Sequence, residues 1–597
     1  MGRFSKRKLS VVAVAALAVT MAVPVGSAVA APAVPVPAAS GASASGEGAG
    51  LPDDRPSPEA KAQRQRAADT LEREILSGGR QSRANGDPGT VDSLKISGTH
   101  KVFVLAVEFG DQTAPEIGGP VGPVHNNIPK PDPKKDNGTY WVPDFNQAHY
   151  QKVLFGDQQP SFKDFYRQQS QGRFGVDGEV TNWVKLPYSE AYYTAQDTMD
   201  KLISDGFAGW VAQRKAGGAT DADINKELAQ YDKWNRAKHL DQPDGQLDHL
   251  MVLHAGVGAE TFGSHLDPRV KEVIWSHSSA TDKPVAIGAS GVAASDYTIE
   301  PENAGVGVLA HEFGHDLGLP DFYDYSGNGC AEDPLACQDN ATGFWSVMSG
   351  GSWLSNSDTV RGTAPGGFGP WEKLMLGWLD YTAVRYGQEA DVSIDAPNAK
   401  QGANPQALVV ILPPGQDGKG RYYLVENRRS IGYDVDLQHA YFNSYGATKF
   451  QRFAYQPGML VWYWNRAMTD NNVSEHKGAG QVLPVDARVS PIISDDGRAI
   501  RPRVQMYDAA FSLNATKPLN LTWDNTTPDG VKYTAKVAQP AQPAQPTFDD
   551  RNSWYDPRAW RSSVDVPKTG TLISLFGEQR GGRTVDVRVS FPGARAH

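Results

Sequence analysis

One stretch constrains this chain more than any other: Gly307 to Asp324, which contains His311-Glu312-x-x-His315-x-x-Gly318-x-x-Asp321. On an α-helix, residues four apart share a face and lie roughly 6 Å apart along the axis. Two imidazoles at that spacing can point at one ion, with the intervening Glu312 beside it as a general base. The pattern requires a helix, expected over about Pro301 to Leu317, and a terminating turn at Gly318, where the chain must pass through positive φ. That turn would bring Asp321 back towards the ion.

A catalytic zinc takes three protein ligands and keeps one position for water. His311 and His315 supply two. The third is Asp321 or, if a later helix contributes it, Glu372; the spacing of Gly318 and Asp321 and the tight turn around Met348 favour Asp321. Met348 is expected to form an apolar floor beneath the site. Glu312 would then take a proton from water and pass it to a leaving amine. The residues thus point to a zinc-dependent endopeptidase with one catalytic ion, acting on protein or peptide substrates. The rival from another class is an inactive binding protein in which the metal is structural and a β-rich region does the work. Such a closed site would need a fourth protein ligand, and no obvious one is present.

At 597 residues the chain is long enough for about four units of ordinary domain size. Its formal charge of −10 and the lack of a long Lys/Arg block argue against a nucleic-acid partner. The two cysteines, Cys330 and Cys337, lie in a Gly/Asn/Asp-rich loop and suit a small disulfide in an oxidising compartment. Asp324, Asp333 and Asp339, with Asn328 and Asn340, make the same region oxygen-rich, so a structural calcium is a candidate second ion.

In chain order, residues 1–30 read as an export signal. Arg3, Lys6, Arg7 and Lys8 precede an apolar run from Leu9 to Val25, and Ala28-Val29-Ala30 supplies a cleavage site. No other stretch approaches the ~20 apolar residues of a membrane span, so the expected product is a secreted, extracellular, monomeric protein. Residues 31–94 combine an Ala/Pro/Gly/Ser-rich arm with a charged helix from Pro58 to Leu76, and read as a removable prosegment. Having no cysteine, it could cover the metal only with a carboxylate (Asp87 or Asp92) or by bulk.

Residues 95–384 read as an α/β catalytic domain. It has buried strands at His100–Val107 and Leu247–His254, a half-exposed strand from Phe174, and helices over Gln147–Gln171, 196–237 and Trp371–Trp378. His254 and His277 follow apolar strands and read as structural or cleft-lining residues. From about residue 385 to 597 short alternating strands take over, at Ala407–Leu412, Arg421–Glu426, Gly458–Trp464 and Arg503–Tyr507, with a last hairpin over 567–592. The fold class is therefore α+β: a catalytic α/β domain followed by an all-β, sandwich-like domain.

The stretch HEFGHDLGLPDFYD, together with SFKDFYRQQSQGRFGVDGEVTNWVKLP and DHLMVLHAGVGAE upstream, resembles the immune inhibitor A family of secreted bacterial metallopeptidases. MLVWYWNRAMTDNNVSEHKGAGQVLPVDA is similar to that family's post-catalytic module. The resemblance covers roughly residues 95–490. It implies a metzincin-like catalytic domain, endopeptidase activity, a removable prosegment and often structural calcium. It also implies zinc ligation by His311, His315 and Asp321, with Glu312 as the base.

Overall fold

Pro58–Leu76 forms α1, a charged helix whose apolar positions Ala67, Ala68, Leu71 and Ile75 are buried in the main core. Its polar side is tied down as well. Arg64 Nε donates to the Gly318 carbonyl at 2.8 Å, Tyr422 donates to Glu72 at 2.7 Å, and Arg466 pairs with both Asp69 and Glu72. The structure, a computed structural model, describes residues 58–78, 93–113, 118–195, 198–235, 241–262, 272–328, 337–357, 360–399, 402–443, 449–526 and 532–593. The expected leader and low-complexity arm, Asp87, Asp92, Cys330 and Asp333 lie outside them. Among the described residues no helix is long and apolar enough to cross a membrane.

The catalytic region is built on β1 (Gly98–Glu108). Side chains alternate faces along a strand, and β1 divides accordingly: Val102, Val104 and Ala106 enter one core, Phe103, Leu105 and Val107 the other. Two helices follow, α2 (Gln147–Phe155) and α3 (Phe162–Gln169). A single helix was expected here. The break at Gly156 and Pro160 splits it, and Asn146 and Ser161 each cap a new N-terminus through a side-chain oxygen. Next come β2 (Phe174–Val180), β3 (Val184–Lys185), α4 (Glu190–Ala195), α5 (Met199–Ala216) and α6 (Asp221–Leu228). Then follow β4 (Leu250–His254), β5 (His277–Ala286) and β6 (Ala293–Pro301).

The strands form one sheet in the order β2-β1-β4-β6-β5, with β3 also on β1. All pairs are parallel except β5 on β6. Parallel neighbours need long crossovers, which the helices supply. One face of the sheet is covered by α5 and α6 through Leu202, Phe207, Trp210 and Ile224. The other face carries α3 and the motif helix.

That helix, α7, runs Val306–Asp316, five residues shorter at its start than the sequence suggests. Pro301 still belongs to β6, and Gly305 is the N-cap. The short helix α8 (Pro370–Met375) ends before Gly377, whose φ of 74° stops it.

Strands β7 (Tyr381–Arg385), β9 (Ala407–Ile411) and β10 (Arg421–Arg428) join Gly458–Asn465 and Val482–Pro484 in a five-stranded sheet. β8 (Ala390–Asp395) instead pairs with the C-terminal hairpin Leu572–Gln579/Thr584–Ser590, which also carries Thr547–Asp549. Rings pack between the two sheets, with Tyr423 at 4.8 Å from Phe548. The expected hairpin near the C-terminus is present. The strand expected at Arg503–Tyr507 is not: Pro502–Gln505 is a helical turn continued by a 3-10 turn at Met506–Asp508. Pro502 at the first helical position presets φ for a helix, and Arg501 and Arg503 both reach Asp339.

Because α1 is part of the core, Leu71→Ala should destabilise the whole chain, by about 2–5 kcal/mol for a buried leucine. Chemical denaturation would show a lower midpoint, whereas Lys61→Ala on the exposed face should leave it unchanged.

Candidate active site

All eleven residues of α7 are buried, as expected of a helix that is apolar on nearly every side. Its own polar groups are held from several directions. Tyr166 donates to the Ala310 carbonyl at 2.7 Å. On the far side, Asp316 is hydrogen-bonded to His249 Nδ1, whose Nε2 lies 3.0 Å from His100 Nδ1.

The helix ends where Gly318 adopts φ of 96°. There Gly318 N–H reaches the His315 carbonyl at 2.8 Å and Leu319 N–H the Gly314 carbonyl at 3.0 Å. The turn points the Leu319 carbonyl at His315, which donates Nδ1–H to it at 2.8 Å. His311 donates Nδ1–H in the same way to the Val347 carbonyl, also at 2.8 Å. Each hydrogen bond turns the other ring nitrogen, Nε2, towards the site.

Those two Nε2 atoms lie 3.2 Å apart. Asp321 Oδ1 is 3.3 Å from His311 Nε2 and 3.2 Å from His315 Nε2. It is buried without a hydrogen-bond donor. Three acceptor atoms facing one another in a closed site repel unless a cation lies between them. The dimensions suit zinc: a tetrahedral ion with bonds of about 2.0–2.1 Å holds its ligand atoms about 3.3–3.4 Å apart.

Glu312 also has a carboxylate oxygen within 4.8 Å of both imidazole nitrogens. Asp321 makes the shorter contacts to the two imidazole nitrogens, and the Glu312 carboxylate lies beside them. Among the described residues no other group of three or more His, Cys, Asp or Glu side chains could hold a metal.

Met348 lies under the helix. A Cβ placed on Gly314 would be 2.4 Å from Met348 Sδ, so the thioether packs directly against the helix backbone at this glycine. The same turn fastens the Asp321 segment, because Phe322 N–H reaches the Met348 carbonyl at 2.7 Å. Glu372 is elsewhere: it accepts a hydrogen bond from Ser346 Oγ behind the turn and makes no ion pair with either histidine among the described residues.

Two carboxylates of the oxygen-rich loop have partners within the protein, and Asp333 lies outside the described residues. The Asp339 carboxylate is taken by Arg501 at 2.7 Å and by Arg503, and Asp324 accepts from Ser326 and Ser474. Cys337 is buried. His254 is fully buried with Nδ1 on the Ala255 carbonyl, and burial lowers its pKa to about 4. His277 bridges the Trp275 carbonyl and Tyr297. Neither joins the site.

Three contributors escape the sequence reading: His249, Arg428, described below, and Tyr323, whose ring lies nearly parallel to His311 with centroids 6.1 Å apart. Tyr323 follows Asp321 by two positions, which is the one hint the sequence offers. A small recess at the N-terminal end of α7 is lined by Tyr140, Glu260, Val308, Trp353 and Arg361 among others. Val308 precedes His311 by three residues and Glu312 by four, so the recess extends the metal-facing stripe of α7 by one turn.

Residues 92–381 match the immune inhibitor A peptidase M6 catalytic domain, and residues 417–587 match the immune inhibitor A-like metallopeptidase VEG domain. The chain is 38% identical over 318 residues to immune inhibitor A of Bacillus thuringiensis subsp. alesti, covering 48% of this chain and 42% of that protein. It is 30% identical over 725 aligned positions to the pre-pro-metalloprotease PrtV of Vibrio cholerae serotype O1, covering 87% of this chain and 75% of that one. With two consecutive family domains in order and a metal-binding helix of the matching kind, the chain belongs to the immune inhibitor A (M6) family of metallopeptidases.

Proposed function

We propose that the chain is a secreted zinc endopeptidase that hydrolyses peptide bonds in proteins, with His311, His315 and Asp321 holding the ion and Glu312 as the proton carrier. The observation that carries the proposal is the convergence of two imidazole Nε2 atoms and the Asp321 carboxylate within 3.3 Å of one another, beside Glu312. Zinc in this position supplies Lewis acidity, making water acidic near neutral pH and polarising a carbonyl.

The chain's own residues do the rest. Val347 and Leu319 keep both imidazoles in the tautomer that presents Nε2 to the ion. The Glu312 carboxylate accepts a proton from the attacking water and returns it to the amide nitrogen as the bond breaks. The apolar bed formed by Met348 and Phe368 under Gly314 excludes water from the back of the site.

Residues 1–30 act as the export leader and 31–94 as a prosegment, a reading supported by the designation of the Vibrio relative as a pre-pro-metalloprotease. Residues 95–384 form the catalytic domain and 385–597 the β-rich one. The enzyme works as an extracellular monomer, and Cys330 and Cys337 close a small disulfide loop. Zinc is the only ion the mechanism requires.

Casein zymography of the purified chain should show clearing that a chelator abolishes and zinc restores; a protein that only binds its partners clears nothing. Glu312→Ala should remove clearing, by at least 10²-fold for loss of a general base, while zinc content by atomic absorption stays at wild-type level. A fully active variant would refute the role given to Glu312.

Asp321→Asn and Glu372→Gln separate the two candidates for the third ligand. The first should remove a ligand and weaken zinc binding severely, whereas the second should keep all three ligands and cost far less affinity than the first.

A further inference from the structure

The turn that orients His311 is held from behind by the β-rich region. Arg428, the last residue of β10, is completely buried. Its Nη1 donates to the Phe368 carbonyl at 2.9 Å, and its Nη2 donates to the Trp345 carbonyl at 2.6 Å and the Gly367 carbonyl at 3.5 Å. Gly367 O in turn accepts from Val347 N–H at 3.3 Å, and Val347 O is the acceptor for His311 Nδ1–H.

The guanidinium is therefore one peptide unit away from the carbonyl that orients a metal-binding imidazole, although it lies in a different part of the chain. Opposing carboxylates fix it in place: Asp434 Oδ1 at 3.2 Å and Glu426 Oε2 at 3.6 Å. Asp434 Oδ1 also accepts from Gly367 N–H at 3.0 Å, so Arg428 and Asp434 grip Gly367 from its two sides. Glu372 completes the arrangement by holding Ser346, whose Oγ accepts from Met348 N–H at 2.9 Å.

We propose that Arg428 is a positioning residue for the metal site: through the carbonyls of Trp345, Gly367 and Phe368 it sets the Val347 carbonyl, and hence the angle at which His311 presents Nε2. The proposal rests on the zinc-peptidase reading and goes beyond it. The β-rich region becomes part of the catalytic apparatus rather than an appended module. Only a planar fork can serve three carbonyls and two carboxylates at once; a lysine supplies the charge without the geometry.

The test uses the full chain carrying Arg428→Lys, with folding checked by circular dichroism. Zinc affinity is measured by competition with a chromophoric chelator, and the cobalt-substituted protein is examined by visible absorption. Loss of a group supporting a metal-binding histidine typically costs 10–100-fold in metal affinity. The expected result is a folded variant with a zinc dissociation constant raised about tenfold or more and shifted cobalt bands. Its kcat should fall more than its KM changes. A folded Arg428→Lys with wild-type zinc affinity and an unchanged cobalt spectrum overturns the proposal.

If that variant does not fold, Asp434→Asn, which keeps the side-chain shape while removing the opposing charge, should weaken zinc binding in the same direction. Wild-type affinity there, or failure of both variants to fold, assigns the cluster to stability alone and overturns the proposal. A wild-type chain that binds no zinc in the same titration would instead refute the zinc-peptidase reading itself.

Discussion

The hydrogen bond from His311 Nδ1 to the Val347 carbonyl is the interaction on which the rest of the site depends. It fixes the tautomer and the ring angle of one imidazole. It also joins the helix to a turn that lies 36 residues away in sequence. That turn sends Met348 Sδ under Gly314 and its carbonyl to Phe322 N–H, so one short segment controls the floor, one histidine and the approach of Asp321. His315 has a local counterpart, the Leu319 carbonyl, which is available only because Gly318 passes through positive φ. One orienting carbonyl is supplied by the end of the helix, the other by the chain folding back on it.

The electrostatic cost of this arrangement is visible. Two imidazole nitrogens and a carboxylate converge in a buried space, and burying polar and charged groups is unfavourable unless something compensates. A bound cation does so, which links metal binding to the stability of the folded site. Behind the turn lies a second buried set of charges: Arg428, Asp434, Glu426, Glu372 and Lys373. Burial raises Glu426 to about 7 and lowers Lys373 to about 8. Buried ion pairs of this kind contribute little net stability on average. Their value here is geometric, because a charged fork fastened by carboxylates holds backbone carbonyls at defined angles where apolar packing would hold them only loosely.

The grouping of His311, Glu312 and His315 and the turn at Gly318 were legible in the sequence because helical spacing and a glycine turn are local properties. The strand at the centre of the sheet was legible too, since an apolar run such as Val102–Val107 has few other uses. What stayed hidden is non-local. Nothing in RYYLVENRR indicates that Arg428 will reach the carbonyls of Trp345 and Phe368, and His249 reads as one more residue of a buried strand until α7 is packed against it. Helix boundaries failed for a related reason: Pro301 lies in a strand because β4 pairs with it, and Arg503 is drawn into a helical turn by Asp339. In the oxygen-rich loop, Asp339 is paired with arginines more than 160 residues downstream, a contact that composition does not reveal.

The most direct test of the central claim is X-ray absorption at the zinc edge on the purified chain. The account predicts a four-coordinate zinc with two imidazole nitrogens, one carboxylate oxygen and one further light atom from water, all near 2.0–2.1 Å. A sulfur ligand, a third imidazole or a shell closed by four protein groups would contradict it.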